Sequence, residues 1–466
     1  MGLTSSLQIG ASGLLSSQAA IQVAGNNLAN LTTEGYHRTD ANLAAVRARE
    51  VQNGIFIGQG VQLQDISRVV DEALESRLRA AVSNQSGSRV LQDLFSEIEA
   101  IENELSTVDL STRLGTFFNA WSDLANNPQD LSLRTLIVEE AGTLTDFIQS
   151  MRGSFGDLQA RIDQRLGNAV NTVNGLLDQV GELNNAIVLQ EGGGGGQASG
   201  LRDQRDLLLT ELSQYMDIST VQQEGGALDI YVGSLPIVLN GQSRGIEIES
   251  QAIDGELVTT LHIAADHSQL PVQSGELGAL IGFRGQYLEN ALETLDTFTN
   301  TLIFETNRAH SQGQGLNLLD QITGTNLAAD PAAALNDVAA GLDFVPTHGS
   351  FQIHVTQGST GQRVTTSINI DLDGINAASD TSLTSLAADL NAVGNLSATV
   401  TPDGRLSITS DTTDFQFSFS DDSSGVLAAL GVNTFFTGGG SFAVGVNEER
   451  VGDPRSLAAG RGHLPG

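Results

Sequence analysis

Along residues 7–31 the apolar positions return every seven residues, with Leu7, Leu14, Ile21 and Leu28 at one heptad position and Gly10, Ser17, Ala24 and Leu31 at the other. The spacing predicts a helix with a narrow seam, one large and one small residue per repeat, which suits a partner helix better than a globular core. Alone such a helix is marginal, because glycine and serine bury little and short helices nucleate poorly, so it is expected to order on assembly. The pattern breaks at residues 32–36, and Ile55, Ile57, Val61 and Leu63 then alternate with polar residues as short β-structure does.

Helical spacing resumes near Asp65 and runs through Leu91, Leu94, Ile98, Ile101 and Leu105, with Ser86-Gly87-Ser88 as its candidate break. A helix over Phe117, Trp121 and Leu124 is predicted to stop at Asn126-Asn127-Pro128, where proline and its restricted predecessor disfavour continuation. Two more follow over 133–151 and 155–187, the second carrying Ile162, Leu166, Ala169, Val173, Leu176, Val180, Leu183 and Ile187 at coiled-coil spacing. The glycine run 192–196 reads as a flexible loop, from which helix 201–215 returns to close an antiparallel hairpin.

Between 218 and 263 short alternating runs sit between Glu-Gly-Gly, Asn-Gly and Asp-Gly turns, the pattern of a small β-domain. Helix resumes over 276–310. A second β-rich module carries strands at 351–355, 364–372, 396–400, 406–410 and 415–419, interrupted by a helix through Leu383, Leu386, Leu390 and Val393. Thr401-Pro402-Asp403-Gly404 turns one of its hairpins.

The expected fold is therefore α+β and multidomain, a long coiled-coil-like helical core with small β-rich domains inserted into it. Residues 1–64 form the seam helix and an extended segment, 65–216 a long-helix bundle, 217–272 the inserted β-domain, 273–320 the returning helices, 340–440 the second β-rich module, and 441–466 a tail. The 466 residues support several cores. Aromatics at 5% make those cores aliphatic.

Formal net charge is −33 and all 22 basic residues are arginine, which argues against a phosphate backbone or an anionic membrane surface as partner. The absence of cysteine excludes disulfides, thiolate metal sites and cysteine nucleophiles. Residues 1–30 lack the n-region, h-region and cleavage site of a secretory signal, and no run of about 20 apolar residues predicts membrane insertion. Export by a route without a cleaved peptide is the expectation.

The segment Asn26-Asn27-Leu28-Ala29-Asn30-Leu31-Thr32-Thr33-Glu34-Gly35-Tyr36-His37-Arg38 closely resembles the N-terminal signature of the flagellar rod, hook and hook-associated axial protein family, carried by Asn26, Asn27, Asn30, Thr33, Gly35 and Tyr36. Helix capping and a glycine turn account for these residues singly and for their combination poorly. Residues 115–128, with Phe117, Phe118, Trp121 and Pro128, resemble the block that sets one hook-associated branch of that family apart. Leu201-Arg202-Asp203-Gln204-Arg205-Asp206 and Gly275-Glu276-Leu277-Gly278-Ala279-Leu280 resemble two further blocks of it. The 349–436 module is similar to the variable domains inserted in such proteins, and 430–436 to the close of that insertion.

The resemblance implies a structural subunit of the hook-filament junction, secreted unfolded through the flagellar type III apparatus and polymerised through its terminal helices, with Leu7, Leu14, Ile21 and Leu28 as the assembly seam. Implied partners are further copies of itself, the hook protein, the second hook-associated protein and an export chaperone. Family members end in a C-terminal heptad helix that packs on the N-terminal one, and in residues 460–466 that helix is expected but absent. Another axial subunit, of hook or distal rod, is the nearest alternative; an extracellular adhesin would rest on the 349–436 module alone.

Nothing in the chain spells an enzyme. No Gly-X-Ser-X-Gly elbow occurs, no His pair shows the i, i+4 spacing with glutamate of a helical zinc protease, and no lysine follows the glycine run. His262 and His267, five apart in a β-hairpin, read as surface histidines, and Asp371-Leu372-Asp373-Gly374 lacks the third acidic ligand and final glutamate of a calcium loop. No catalytic, cofactor-binding or metal-binding residue is predicted.

Overall fold

The computed structural model describes residues 3–52, 54–103, 109–192, 196–253, 256–375 and 380–461. They divide into two units: residues 1–97 with 158–289, and residues 98–157 with 290–466. In chain order the helices are α1 Leu3–Ala29, α2 Glu72–Glu102, α3 Leu110–Asn126, α4 Leu131–Gly192, α5 Ser199–Tyr215, α6 Gly275–Gly282, α7 Glu289–Ser311, α8 Leu383–Asn391, α9 Val426–Ala429 and α10 Glu448–Gly452. No described helix is long and apolar enough to cross a membrane. The fold is α+β.

Four helical expectations need correcting. The helix expected from near Asp65 starts only at Glu72, because residues 61–68 alternate and pair as a strand. The break at Gly87 does not occur: α2 runs straight through it, and Gly87 instead lets Gly275 approach, since a Cβ on Gly87 would meet the Gly275 carbonyl oxygen at 3.1 Å. The helices expected at 133–151 and 155–187 are one 62-residue helix, α4. A glycine at 153 costs about 1 kcal/mol, and burial of Met151, Phe155 and Leu158 on either side at unbroken 4,3 spacing outweighs it. The helix expected at 276–310 contains a π-helical turn, Phe283–Leu288, which seats Phe283 and Tyr287 on Phe95 with ring centroids 5.2 and 4.8 Å away and Arg284 on Asp163 at 2.6 Å. Leu105 and the middle of the glycine run, 193–195, lie outside the described residues.

In the first unit, β1 Thr39–Ala45 pairs antiparallel with β4 Val61–Arg68, and β2 Arg49–Gln52 with β3 Ile55–Ile57. Strands β5 Ser219–Gln222, β6 Leu228–Val232, β7 Leu235–Leu239 and β8 Gln242–Ser243 form a meander, and β9 Ile246–Ile253 with β10 Glu256–Ile263 a separate ribbon. The buried stripe of α4 (Ile162, Leu166, Val173, Val180, Ile187), Leu209 and Leu212 of α5, and Ile230 and Val232 of β6 make the aliphatic core.

The second unit contains β11 Gly313–Gln314, β12 Gln321–Thr323, β13 Gly349–Gln357, β14 Arg363–Ile370, β15 Leu396–Val400, β16 Leu406–Ser410, β17 Phe415–Ser420, β18 Phe436–Thr437, β19 Gly445–Val446 and β20 Gly460–Arg461. Two three-stranded sheets, ordered β12-β16-β15 and β14-β13-β17, bury Ile408, Ile353, Phe417 and Phe419 against Leu383, Leu386 and Leu390 of α8 in one cluster. A capping box between Ser382 and Ser385 starts α8.

Beside that cluster lies a polar kernel. Asn307 Oδ1 accepts from the backbone N–H groups of Phe435 and Phe436 at 2.9 and 2.8 Å, while Asn433, at φ +54°, donates to the carbonyls of Ser311 and Gly313. His310 is wholly buried: Nδ1–H donates to the Asn433 carbonyl at 2.8 Å, and bare Nε2 accepts from the Ala458 N–H at 2.9 Å. Burial first, then the nearby Arg450 charge, push its pKa down to about 3. The unfolded chain therefore takes up a proton, below its ordinary value of 6.5, that the folded imidazole refuses. Stability from this group is intact above that pH and falls toward pH 3, by about 2 kcal/mol at pH 5. Urea midpoints followed through Trp121, the single tryptophan, are expected to drop from pH 7 to pH 5 in the parent chain, with a flatter profile in His310→Gln.

Candidate assembly site

Helix α1 divides into two faces. Leu7, Leu14, Ile21 and Leu28 stand on the outer one, 66% to 75% exposed, with Leu15 and Leu31 beside them. Each such side chain gains about 1.5–3 kcal/mol on burial, so the stripe is a strong apolar surface that no described residue covers. The inner face is built of small and polar residues and lies on β1 and β4. Ser16, buried, reaches the Val61 carbonyl at 3.5 Å, and Ser12 Oγ accepts from the Val61 N–H at 3.4 Å.

The signature residues turn the chain from α1 into β1. Asn27 is the pin: Nδ2 donates to the Thr39 carbonyl at 2.8 Å, and Oδ1 accepts from the Thr39 N–H at 3.0 Å and the Tyr36 hydroxyl at 2.7 Å. Asn30 Nδ2 donates to the Asn26 carbonyl and side-chain oxygen, both at 3.0 Å, Thr33 Oγ1 donates to Asn30 Oδ1 at 3.3 Å, and Asn26 Nδ2 lies 3.4 Å from the Tyr36 hydroxyl. Gly35 sits at φ +74°, so the backbone twist demands glycine there; a Cβ would make only ordinary contact with Leu207 at 3.5 Å.

Next to the signature the 201–206 block supplies an ion cluster that the sequence reading did not foresee. Asp203 and Asp206, three apart on α5 and so on one face, hold Arg68 NH1 at 2.7 Å each, and Asp203 also meets His37 Nδ1 at 2.9 Å. Burial alone would draw the Arg68 guanidinium down; the two carboxylates outweigh it and hold it above its ordinary value. Arg202 binds Glu191 through both Nε and NH2, at 2.8 and 2.7 Å, and Arg205 donates to Asn184 Oδ1 and the Gly226 carbonyl. The only sequence signal for this cluster is a pair of acids at helical spacing, and its basic partner sits 135 residues from the nearer one.

In the second unit Phe117 is buried against Phe435 and Phe436, with centroids 5.9 and 5.7 Å apart, and Trp121 stands edge-on to Phe435 at 5.5 Å. Phe118 points outward, 53% exposed, on the rim of a cavity of about 510 Å³ lined by Phe117, Trp121, Phe298, Leu302 and His310. Pro128 ends α3, and its carbonyl accepts from buried Arg134 at 2.6 Å.

Residues 7–37 match the family model described as Flagella basal body rod protein. The exposed stripe of α1 and its signature turn fall within this match. Residues 95–327, half of the chain, match the model described as Flagellar hook-associated protein FlgK helical domain, and the chain belongs to that family. It is similar to flagellar hook-associated protein 1 of Escherichia coli K12, 26% identical over 311 residues that cover 65% of this chain and 56% of that one. The Bacillus subtilis 168 protein of the same name is 28% identical over 296 residues, covering 59% and 58%. The chain thus spans just over half the length of these relatives. A solved structure of the flagellar hook junction protein FlgK from Burkholderia pseudomallei aligns over 84% of this chain and 66% of that one, with TM-score 0.48 and 18% identity.

The Arg68 cluster gives a stability prediction. Removing the guanidinium leaves two largely buried carboxylates with only the His37 imidazole beside one of them, so Arg68→Ala is expected to cost about 3–5 kcal/mol in denaturant unfolding followed by circular dichroism. Arg161→Ala, which breaks the exposed pair with Glu97, is expected to cost under about 1 kcal/mol.

Proposed function

We propose that this protein is a structural subunit of the junction between flagellar hook and filament, polymerised through α1. The observation that carries the reading is the uncovered stripe of Leu7, Leu14, Ile21 and Leu28 on a helix whose opposite face is fastened to β1 and β4. Family membership gives this surface its setting, and the stripe is what a neighbouring axial helix would bury. Residues 1–64 act as the axial segment, the Phe117–Pro128 block belongs to the helical body, and the 340–440 module faces solvent. The role is structural, without catalysis.

Export proceeds unfolded through the flagellar type III apparatus, which the lack of any disulfide-forming residue favours. An export chaperone covers the apolar stripe until assembly, and the neighbours in the assembled flagellum are the hook protein, the second hook-associated protein and further copies of this chain.

Leu14→Asp and Ile21→Asp test this. Each places a charge on the stripe at a position that is 71% exposed. The expected outcome is unchanged thermal unfolding of the isolated protein with loss of filament attachment in cells; normal filaments in both variants would refute the reading.

A further inference from the structure

The β9–β10 ribbon brings together a group of ligating side chains that neither the seam nor the ion cluster uses. Glu247 and Glu249 are two apart on β9 and so share a face of the ribbon, opposite His262 and Thr260 of β10 in the antiparallel register. Past β10 the chain turns tightly, with the His267 N–H on the Ile263 carbonyl at 2.8 Å, and returns the His267 ring to that face. Its Nδ1 lies 2.7 Å from Glu247 Oε1 and 3.0 Å from Glu249 Oε1.

This arrangement is short of one positive charge. A single ring nitrogen carries a single proton, and Glu249 accepts it. Glu247 Oε1 is sealed from solvent, and among the described residues it has no donor near it besides that same ring nitrogen. Two like-charged carboxylates thus crowd one imidazole nitrogen with a proton for only one of them. At His37, Asp203 and Asp206 the comparable crowding is resolved by the Arg68 guanidinium; here no arginine serves, because neighbouring Arg244 is engaged by Asp266 at 2.5 Å.

We propose that Glu247, Glu249 and His267 bind one divalent transition-metal ion of the zinc class. Binding releases the Nδ1 proton to solvent, and the freed lone pair and the two carboxylate oxygens each donate to the ion. The three ligand atoms lie within 4.8 Å of one another. A tetrahedral zinc site spaces its ligand atoms about 3.4 Å apart, so the three side chains need open by less than about 1 Å, and the fourth position is left to water. An imidazole nitrogen beside two carboxylates selects zinc over magnesium or calcium, which prefer all-oxygen shells. His262 stands behind the site: its Nδ1–H donates to the His267 carbonyl at 2.7 Å and its Nε2 accepts from Thr260 Oγ1 at 2.9 Å, which fixes the backbone that carries the ligand.

The test is calorimetric titration of zinc chloride into the chelator-treated full chain at pH 7.5, with circular dichroism to confirm that every variant is folded. One equivalent is expected to bind the parent chain, with affinity at least tenfold weaker in Glu249→Gln and in His267→Asn and unchanged in His348→Asn, a histidine outside the ribbon. Calcium at the same concentration is expected to bind far more weakly. Equal zinc binding by parent and both ligand variants, no stoichiometric binding by the parent, or calcium binding as tightly as zinc would each overturn the assignment.

Discussion

Arg68 closes β4, and its guanidinium is held between two carboxylates on the same face of α5. Through Asp203 the same cluster takes in His37, the residue that follows the signature turn. The β1–β4 ribbon and α5 are thereby fixed to one another by charge-assisted bonds. The geometry of α1 depends on this, because α1 lies on the ribbon and is pinned to it by Asn27. Partial burial makes the cluster matter: in full solvent such pairs contribute little, whereas here the carboxylates are largely withdrawn from water.

The second unit solves a different problem by a related device. Its chain returns from the β-rich module through 430–461 in tight turns that leave many carbonyls without strand or helix partners. Buried donors answer them. Asn433 and Arg450 reach carbonyls of Ser311, Gly313, Thr434 and Ser456, and Arg134 those of Pro128 and Leu457. Burying an arginine largely on backbone oxygens is tolerable because its fork of five donors satisfies several acceptors at once, and Arg450 also meets the Glu449 carboxylate at 3.4 Å.

Local pattern was the legible part of this fold. Strands Leu396–Val400 and Leu406–Ser410 and the end of α3 at Asn126 fall where alternation and proline put them, since those signals act over a few residues. The heptad positions of α1 do lie on its exposed face. What stayed hidden was nonlocal. A three-residue strand such as β12 has no period to detect and exists only because β16 accepts it. Gly87 and Gly153 look like interruptions in sequence, yet one admits a neighbouring backbone and the other is outweighed by burial on both sides. Of the candidate site, the apolar stripe and the signature could be read directly. Their attachment to the 201–206 block could not, because Arg68 carries no mark that distinguishes it from the other arginines.

Helix α1 carries two independent texts on one cylinder. Leu7, Leu14, Ile21 and Leu28 on the outside stand largely exposed, whereas Ser12, Ser16 and Asn27 on the inside each hold a specific neighbour. A substitution outside alters what the helix can meet without altering how the molecule folds, and one inside does the reverse. Such a helix can drift toward new neighbours one side chain at a time while its own attachment is conserved by an entirely separate set of residues.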